Sequence, residues 1–469
     1  MMDYTTRRNF LSRTSMGLGA LAAASITENS DLLARTRKTK PDSGLHPPSK
    51  AKRVIYLHMS GGPSHLDTFD NKPQMQEHHG KPLPPSVIGK QRLTTMTREQ
   101  AKLLVAATQQ EWARYGECGM EMNVAFKEIS TIADEMCLIK SVHSTPINHD
   151  PAVTFLQTGS PLSGRPCLGS WLSYGLGSEN KDLPEFVVLL SNGGQPVPSR
   201  YWHNGFLPSR HQGVQFQAKG DPVLYLSNPD GIDDRNRKNL VTGINTLNQL
   251  KQKQIGDPEI EARINAYELA YRMQSSVPEL MDISRESKET LEAYGASPGN
   301  ASFSNNCLLA RRLAEAGVRF IQLYDRGWDH HGDVTTGIKS KIGQVDKACA
   351  ALIKDLKQRG LLEDTLVIWG GEFGRTSYGQ DRGNSYGRDH HPNCFSLWMA
   401  GGGIKGGVTI GETDDFGYNV AQDKVEVHDL HATMLHLLGI DHERLIYKFK
   451  GRDFRLTDVA GNVVRPALA

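Results

Sequence analysis

The chain has 469 residues, a formal net charge of +2 and an aromatic content of 7%. This balance provides neither the basic stripe that nucleic-acid binding requires nor a strong anionic field, so no nucleic-acid partner is expected. A single large domain is favoured over two because strand-like and helix-like patterns alternate to the end of the chain. Six cysteines are widely spaced without a CxxC pair, and this spacing does not indicate which of them pair.

The amino terminus predicts export. Arg7-Arg8-Asn9-Phe10-Leu11 opens a segment whose apolar part, Met16 to Ala24, is short and rich in small residues. A membrane span needs about 20 apolar residues, so the pattern indicates a twin-arginine signal peptide within residues 1–35. We therefore expect the twin-arginine export machinery as a partner, a periplasmic or otherwise exported location, and no stable membrane span.

A linker and one domain are predicted after the signal. Residues 36–52 are rich in proline and lysine, include Gly44 and are typical of an exposed linker. Residues 53–469 are expected to form the domain, with a loop and helical insertion over about residues 195–295. The polar, helical part of this insertion, Asp233 to Tyr294, serves either to shape a substrate cleft or as a structural cover.

Apolar, β-branched runs predict the buried strands of the domain. They are Arg53–Met59, Phe186–Leu190, Val318–Tyr324, Thr365–Trp369 and Phe395–Met399. Helical patterns at Phe303–Ala316 and Ile338–Arg359 separate some of them and end next to glycines. The order strand, helix, strand implies an α/β fold whose mostly parallel sheet is covered on both faces. Ligands of such folds bind at the carboxyl ends of the strands.

Two Asp-His clusters predict a metal site at that edge. Trp328–Asp333 reads Trp-Asp-His-His-Gly-Asp, and Gly387–Pro392, on a glycine-flanked loop, reads Gly-Arg-Asp-His-His-Pro. Carboxylate and imidazole suit Zn, Mn, Fe or Ca in different mixtures, and the absence of a thiolate argues against a structural zinc. Glu372 lies between the two clusters in sequence. One such pair is common in surface loops, whereas two with an intervening glutamate favour a metal-dependent hydrolase.

Further candidates follow other predicted elements. His65 and Asp67 lie just after the first strand, and His149 precedes a probable helix that runs to Gly159. Each alone is typical of a cap or turn residue. Adjacent parallel strands, however, place their ends about 5 Å apart, so several such segments can converge on one site.

These motifs together resemble a known family. The likeness is carried by Gly61–Asp70, Trp328–Asp333, Gly371–Thr376, Gly387–Pro392 and the closing Val427–Gly439, and it covers nearly the whole mature chain. They resemble an exported bacterial family related to sulfatases and catalogued as domain of unknown function 1501. The resemblance implies the alkaline phosphatase and sulfatase superfamily, a three-layer α/β/α sandwich and a metal-assisted hydrolytic site.

The sequence departs from sulfatases at the expected metal ligands. Ser60 and Gly61 stand where sulfatases carry paired aspartates, so His65 and Asp67 would have to supply that side of the site. The superfamily's Asp-His-Gly box is here Glu372-Phe373-Gly374, which keeps a carboxylate and loses an imidazole.

The expected nucleophile is also missing. Counting back from Thr158-Gly159, the position of the modified cysteine or serine of sulfatases falls on His149, and there is no Cys-x-Pro-Ser-Arg motif. Hydrolysis would then require Ser144, Thr145 or His149 as nucleophile, or a metal-bound water.

The sequence therefore predicts an exported metal-dependent hydrolase of sulfate or phosphate esters, including esters carried by polysaccharide. Arg375 is expected to clamp the ester, and His149 to act as general acid, base or nucleophile. The expected ligands of one or two divalent cations (Zn, Ca or Mn) are His65, Asp67, Asp329, His331, Glu372, Asp389 and His390.

Two other classes of protein remain open. A noncatalytic metal- or glycan-binding protein on the same fold is favoured by the missing nucleophile and opposed by the Asp-His clusters. A phosphoglycerate-mutase-like transferase is disfavoured because an exported enzyme rarely meets that substrate.

Overall fold

The computed structural model describes residues 47–469 apart from 192–196, 218–221, 224–227, 229–230, 256–257 and 382–384. Residues Pro47–Ala469 form one compact unit. The predicted signal peptide and the first part of the predicted linker, residues 36–46, lie outside the described residues. None of the helices in the described part of the chain combines the length and apolar content that crossing a bilayer requires.

The described residues contain seventeen strands. They are β1 (Arg53–Ser60), β2 (Trp112–Tyr115), β3 (Met120–Asn123), β4 (Met136–His143), β5 (Phe186–Leu190), β6 (Val214–Phe216), β7 (Phe320–Arg326), β8 (Thr365–Gly370), β9 (Gly374–Asp381), β10 (Tyr386–His391), β11 (Phe395–Ala400), β12 (Val408–Ile410), β13 (Glu412–Thr413), β14 (Val420–Gln422), β15 (Val425–Glu426), β16 (Tyr447–Phe449) and β17 (Arg452–Phe454).

Ten α-helices accompany the strands in the same residues. They are α1 (Gln74–His78), α2 (Pro85–Ile88), α3 (His149–Thr158), α4 (Leu168–Leu176), α5 (Asp234–Ile255), α6 (Pro258–Met281), α7 (Lys288–Tyr294), α8 (Phe303–Glu315), α9 (Val334–Gln358) and α10 (Val427–Leu437).

A nine-stranded, mostly parallel sheet organises the domain. Its order is β12-β4-β11-β8-β1-β7-β5-β6, with β15 also paired to β4. Strand β1 pairs in parallel with β7 and β8, and β11 is antiparallel to both of its neighbours, β4 and β8. The prediction of an α/β fold with a mostly parallel sheet is confirmed.

Alternation along β1 explains why both faces of the sheet are covered. Ile55 and Leu57 pack into a core shared with α8 and α9, whereas Val54 and Tyr56 pack into a second core shared with α4 and α10. Because successive side chains of a strand point to opposite faces, a strand that is buried throughout requires a layer of helices on each side.

The five predicted strands correspond to β1, β5, β7, β8 and β11, with small differences at their ends. The largest difference is in β7, which begins two residues later than predicted, because the N–H of Val318 donates instead to the carbonyl of Leu313 in α8. The predicted loop over Gly387–Pro392 is wrong: Tyr386–His391 is strand β10, which pairs with β9 in a separate hairpin. All six cysteines are free, and only Cys118 is exposed.

Candidate metal centre

Four side chains converge beyond the carboxyl ends of the central strands. His149 is the first residue of α3, Asp329 and His331 lie between β7 and α9, and His390 lies in β10. One nitrogen or carboxylate oxygen of each residue forms a group in which all atoms lie within 4.8 Å of one another. Of the nine residues that the sequence predicts for the site, the structure brings these four together.

Hydrogen bonds fix the orientation of the three imidazoles. Nδ1 of His149 lies 2.6 Å from Oε1 of Glu372, and Nδ1 of His331 lies 2.7 Å from Oε1 of Gln380. In the same way, Nδ1 of His390 lies 2.9 Å from the carbonyl oxygen of Ile147.

Each of these partners accepts a hydrogen bond, so Nδ1 of each neutral ring carries the proton and Nε2 presents a lone pair. Such an outer partner is the usual companion of a metal-ligating histidine.

The distances between the inward-facing atoms fit a single cation. Nε2 of His331 and Nε2 of His390 lie 3.0 Å apart. Two lone pairs at this distance repel each other unless a proton or a cation lies between them. Nitrogens at about 2.0–2.1 Å from a tetrahedral zinc ion would lie about 3.3 Å apart, so the spacing suits a metal of that size.

Asp329 supplies the carboxylate of the group. Its Oδ1 lies 2.9 Å from Nε2 of His331 and 3.5 Å from Nε2 of His390, and its Oδ2 lies 3.3 Å from Nε2 of His149. About a third of each of the His149 and Asp329 side chains is exposed. A cation held here would therefore remain accessible from solvent.

The pKa values express the negative charge around the group. Burial lowers the pKa of His149, but its interactions with Asp329 and Glu372 outweigh burial and raise the pKa to about 9. Burial raises the pKa of the Asp329 carboxyl, but the three histidines and Arg375 outweigh it and hold the pKa well below its usual range. The negative charge of the two carboxylates therefore holds a proton tightly on His149. A divalent cation at the same place would neutralise more of that charge.

Glu372 supports the group from behind. It is almost completely buried, and the N–H of Gly61 donates to its Oε1 at 3.0 Å. Gly61 has φ +116°, and a Cβ there would come within 2.5 Å of the backbone nitrogen of Asp329, which excludes larger residues. Glu372 was predicted as a ligand; in this arrangement it positions His149 through Nδ1 instead.

Arg375 does not occupy the ester-clamping position that the sequence predicts. Its side chain is only 1% exposed. Nε donates to the carbonyl of Gly62 at 2.9 Å, Nη1 to that of Arg388 at 3.0 Å, and Nη2 to the carbonyl of Gly61. Nη2 also donates to Oδ1 of Asp329 at 2.6 Å. Arg375 therefore orients Asp329 and has no face free for a substrate.

Asp67 lies outside the group, in a buried ion pair. Its Oδ2 accepts from Nε of Arg388 at 2.7 Å, and its Oδ1 accepts from the hydroxyl of Thr108 at 2.7 Å; neither side chain of the ion pair is exposed. Arg388 also donates to the carbonyl of Thr376 at 2.9 Å. The ion pair thus joins the β9–β10 hairpin to the segment that follows β1.

His65 and Asp389 also have other partners. Nε2 of His65 lies 2.9 Å from the carbonyl oxygen of Gly417, an acceptor that a metal ligand would not need at that atom. Asp389 accepts from the hydroxyls of Thr94 and Thr97, the second at 2.6 Å. Neither residue joins the group of four.

The outer partners Gln380 and Ile147 were not among the predicted site residues. Ile147 acts through its backbone carbonyl, which every residue type has. Gln380 acts through a neutral side-chain amide, which is not a typical metal ligand. The only available indication was that Gln380 lies ten residues before His390, on the opposite strand of what proved to be a hairpin.

The comparisons with known proteins assign the family. A family model described as "Protein of unknown function (DUF1501)" matches residues 51–468. The chain belongs to this family. The comparison with curated proteins gave no significant match.

Solved structures with similar folds belong to the alkaline phosphatase and sulfatase superfamily. The PsFucS1 sulfatase from Pseudoalteromonas sp. is 13% identical, with 90% of this chain and 72% of that chain covered and a TM-score of 0.34. A protein of the alkaline phosphatase superfamily from Vibrio parahaemolyticus is 11% identical, with 84% and 69% covered and a TM-score of 0.35. A TAB5 alkaline phosphatase mutant with Mg bound is 11% identical, with 77% and 94% covered and a TM-score of 0.31. The likeness concerns the fold.

Proposed function

We propose that this DUF1501 protein is an exported, metal-dependent hydrolase of sulfate or phosphate esters, including esters carried by polysaccharide. The observation that carries the proposal is the convergence of three imidazole Nε2 atoms and one carboxylate, with Nδ1 of every imidazole held by an acceptor. A surface cluster without a ligand has no need for three such outer partners.

The set of ligand atoms favours zinc or another first-row transition-metal cation over calcium. Calcium takes six to eight oxygen ligands, whereas His149, His331 and His390 would each offer a nitrogen. A divalent cation held by these residues and Asp329 would activate water and neutralise charge on the departing ester. The role of the protein is to hold the three Nε2 atoms and the Asp329 carboxylate around one point and to leave one side of the group accessible from solvent.

An anionic substrate suits the start of α3. The first N–H groups of a helix have no acceptor within it, and Asn148 makes no side-chain cap there. This positive helix end belongs to the same segment as His149 and would attract an ester anion. The nearby carboxylate of Asp150 is neutralised by Arg200, whose Nε lies 3.0 Å from its Oδ1, so repulsion of the anion is small.

A noncatalytic metal- or glycan-binding protein is the second candidate. Arg375, the predicted ester clamp, is fully engaged with backbone carbonyls and Asp329. Ser144 is buried, and its hydroxyl has no hydrogen-bond partner among the described residues, so no base activates it as a nucleophile. These two observations favour binding without turnover.

An ester screen distinguishes the two candidates. The purified protein is assayed with p-nitrophenyl phosphate, p-nitrophenyl sulfate and sulfated oligosaccharides, before and after chelation and after return of zinc or manganese. We expect turnover of at least one ester class that chelation abolishes and metal restores. If the metal-loaded protein hydrolyses none of these esters faster than the Asp329→Ala, His390→Ala variant, the binding role replaces hydrolysis.

Export by the twin-arginine route is part of the proposal, and the paired arginines provide its test. Changing Arg7 and Arg8 to lysine should leave unprocessed precursor in the cytoplasm, because the export machinery reads the arginine pair. Cell fractionation measures this, with Arg13→Lys as a matched control that should export normally. Normal processing of the variant with both lysines would show that the segment is not a twin-arginine signal.

A further inference from the structure

Helix α5 presents an apolar strip to solvent. Leu240, Leu247, Leu250 and Ile255 are 51%, 68%, 54% and 62% exposed. They are four of the ten large apolar side chains that are exposed among the described residues. The first two leucines are seven residues apart and the third follows three residues later, so all three lie close to one side of the helix.

The opposite side of α5 already has a partner within the chain. Asn245 is buried, and its Nδ2 donates to Oε1 of Glu268 in α6 at 3.2 Å. The two helices therefore pack as a hairpin that leaves the leucine strip uncovered. Because more than half of each side chain in the strip is exposed, packing within the domain does not account for its apolar character.

The charge of α5 indicates what covers the strip. Helix α5 contains one acidic residue, Asp234 at its first position, and five basic residues. The basic residues are Arg235, Arg237, Lys238, Lys251 and Lys253. Basic residues therefore lie at both ends of the helix, so antiparallel and parallel pairing with a second copy both bring like charges together. An apolar strip with basic ends is instead typical of a helix that lies in the interface of an anionic bilayer.

We propose that α5 docks this protein onto membranes that contain anionic phospholipid. The leucine strip enters the boundary between headgroups and acyl chains, and the lysines and arginines contact the headgroup phosphates. The hairpin belongs to the predicted insertion, residues 195–295. This insertion supplies none of the four residues of the metal centre, so its role is not explained by ester hydrolysis. Docking would hold the metal centre at a membrane surface, and it is independent of ester hydrolysis.

Vesicle sedimentation tests the docking. Wild type and variants are mixed with vesicles of phosphatidylcholine alone or with about a third phosphatidylglycerol, at low and physiological salt. All proteins come from the same preparation scheme, so any contribution of the amino-terminal segment is common to them. The variants are Leu247→Gln with Leu250→Gln, Lys251→Gln with Lys253→Gln, and the control Leu162→Gln with Val459→Gln, which alters two exposed apolar residues outside the hairpin.

We expect wild type and control to bind the anionic vesicles and not phosphatidylcholine. The leucine variant should bind at least tenfold more weakly, since each leucine loses apolar burial. The lysine variant should bind roughly 10- to 30-fold more weakly, since each cation near an anionic surface contributes about a fivefold factor. Unchanged melting temperatures would show that the variants remain folded.

Two results would overturn the docking proposal. The first is that the wild-type protein stays in solution when it is mixed with anionic vesicles, or that the leucine variant binds these vesicles as tightly as the wild-type protein does. The second is a wild-type dimer that the leucine variant converts to a monomer while neither binds vesicles, which would make the strip a contact between copies of this chain.

Discussion

Changing Asp67 to alanine should lower the free energy of unfolding by about 3–5 kcal/mol and leave the metal content of the folded protein unchanged. The large effect is expected because Asp67 and Arg388 form an ion pair with no exposed side-chain surface, and removing one partner leaves the other charge buried without compensation. Metal content should persist because Asp67 is not in the group of four. Urea unfolding and elemental analysis measure the two quantities.

An exposed ion pair provides the control for Asp67. Glu279 pairs with Arg285 at the surface, with 69% and 58% of their side chains exposed, so Glu279→Ala should cost less than about 1 kcal/mol. If Asp67→Ala lost the metal with little change in stability, the carboxylate would be a ligand, as the sequence predicts.

Changing His149 to alanine is expected to weaken metal binding by at least about a hundredfold and to remove ester turnover with it. His149 would offer Nε2 to the cation while Glu372 holds Nδ1, and loss of an outer partner alone typically costs 10- to 100-fold. Titration with zinc and an assay of ester turnover on the same preparation measure both effects. His436→Ala, outside the group, should change neither.

The outcome for His149 separates the roles that the sequence left open. Full metal content with turnover reduced about a hundredfold or more would make His149 an acid or base rather than a ligand. A loss of roughly 1 kcal/mol of stability, with metal and turnover intact, would make it only the residue at which α3 begins.

The central sheet was predictable because its strands are apolar on both faces. Strands β5 and β8 contain continuous apolar runs, and the apolar runs of β1 and β11 are interrupted only by His58 and Ser396. Such a run is typical of a strand that is covered on both faces. Strand β4 was missed because Lys140, Ser141 and His143 make its second half polar. The β9–β10 hairpin was missed because most of its residues are polar. Hydrogen bonds hold many of its buried side chains, although Tyr378 packs in a small apolar cluster.

The candidate site was only partly predictable for a related reason. Asp329, His331 and His390 stand in clusters whose composition suits a metal, and the structure brings them together. The residue type alone, however, does not distinguish an aspartate that pairs with an arginine from an aspartate that binds a metal. Only the three-dimensional pairing of Asp67 with Arg388, more than three hundred residues apart, distinguishes the two.

The metal content of the native protein tests the central claim most directly. Protein purified without chelator should contain about one divalent first-row ion per chain, and the Asp329→Ala, His390→Ala variant should contain almost none. That variant should also melt at a lower temperature, because a ligand bound at 100 times its Kd stabilises the folded state by about 2.7 kcal/mol. A wild-type protein that purifies without metal and binds none on titration, or a double variant that retains as much metal as wild type, would contradict the assignment of this group as a metal centre.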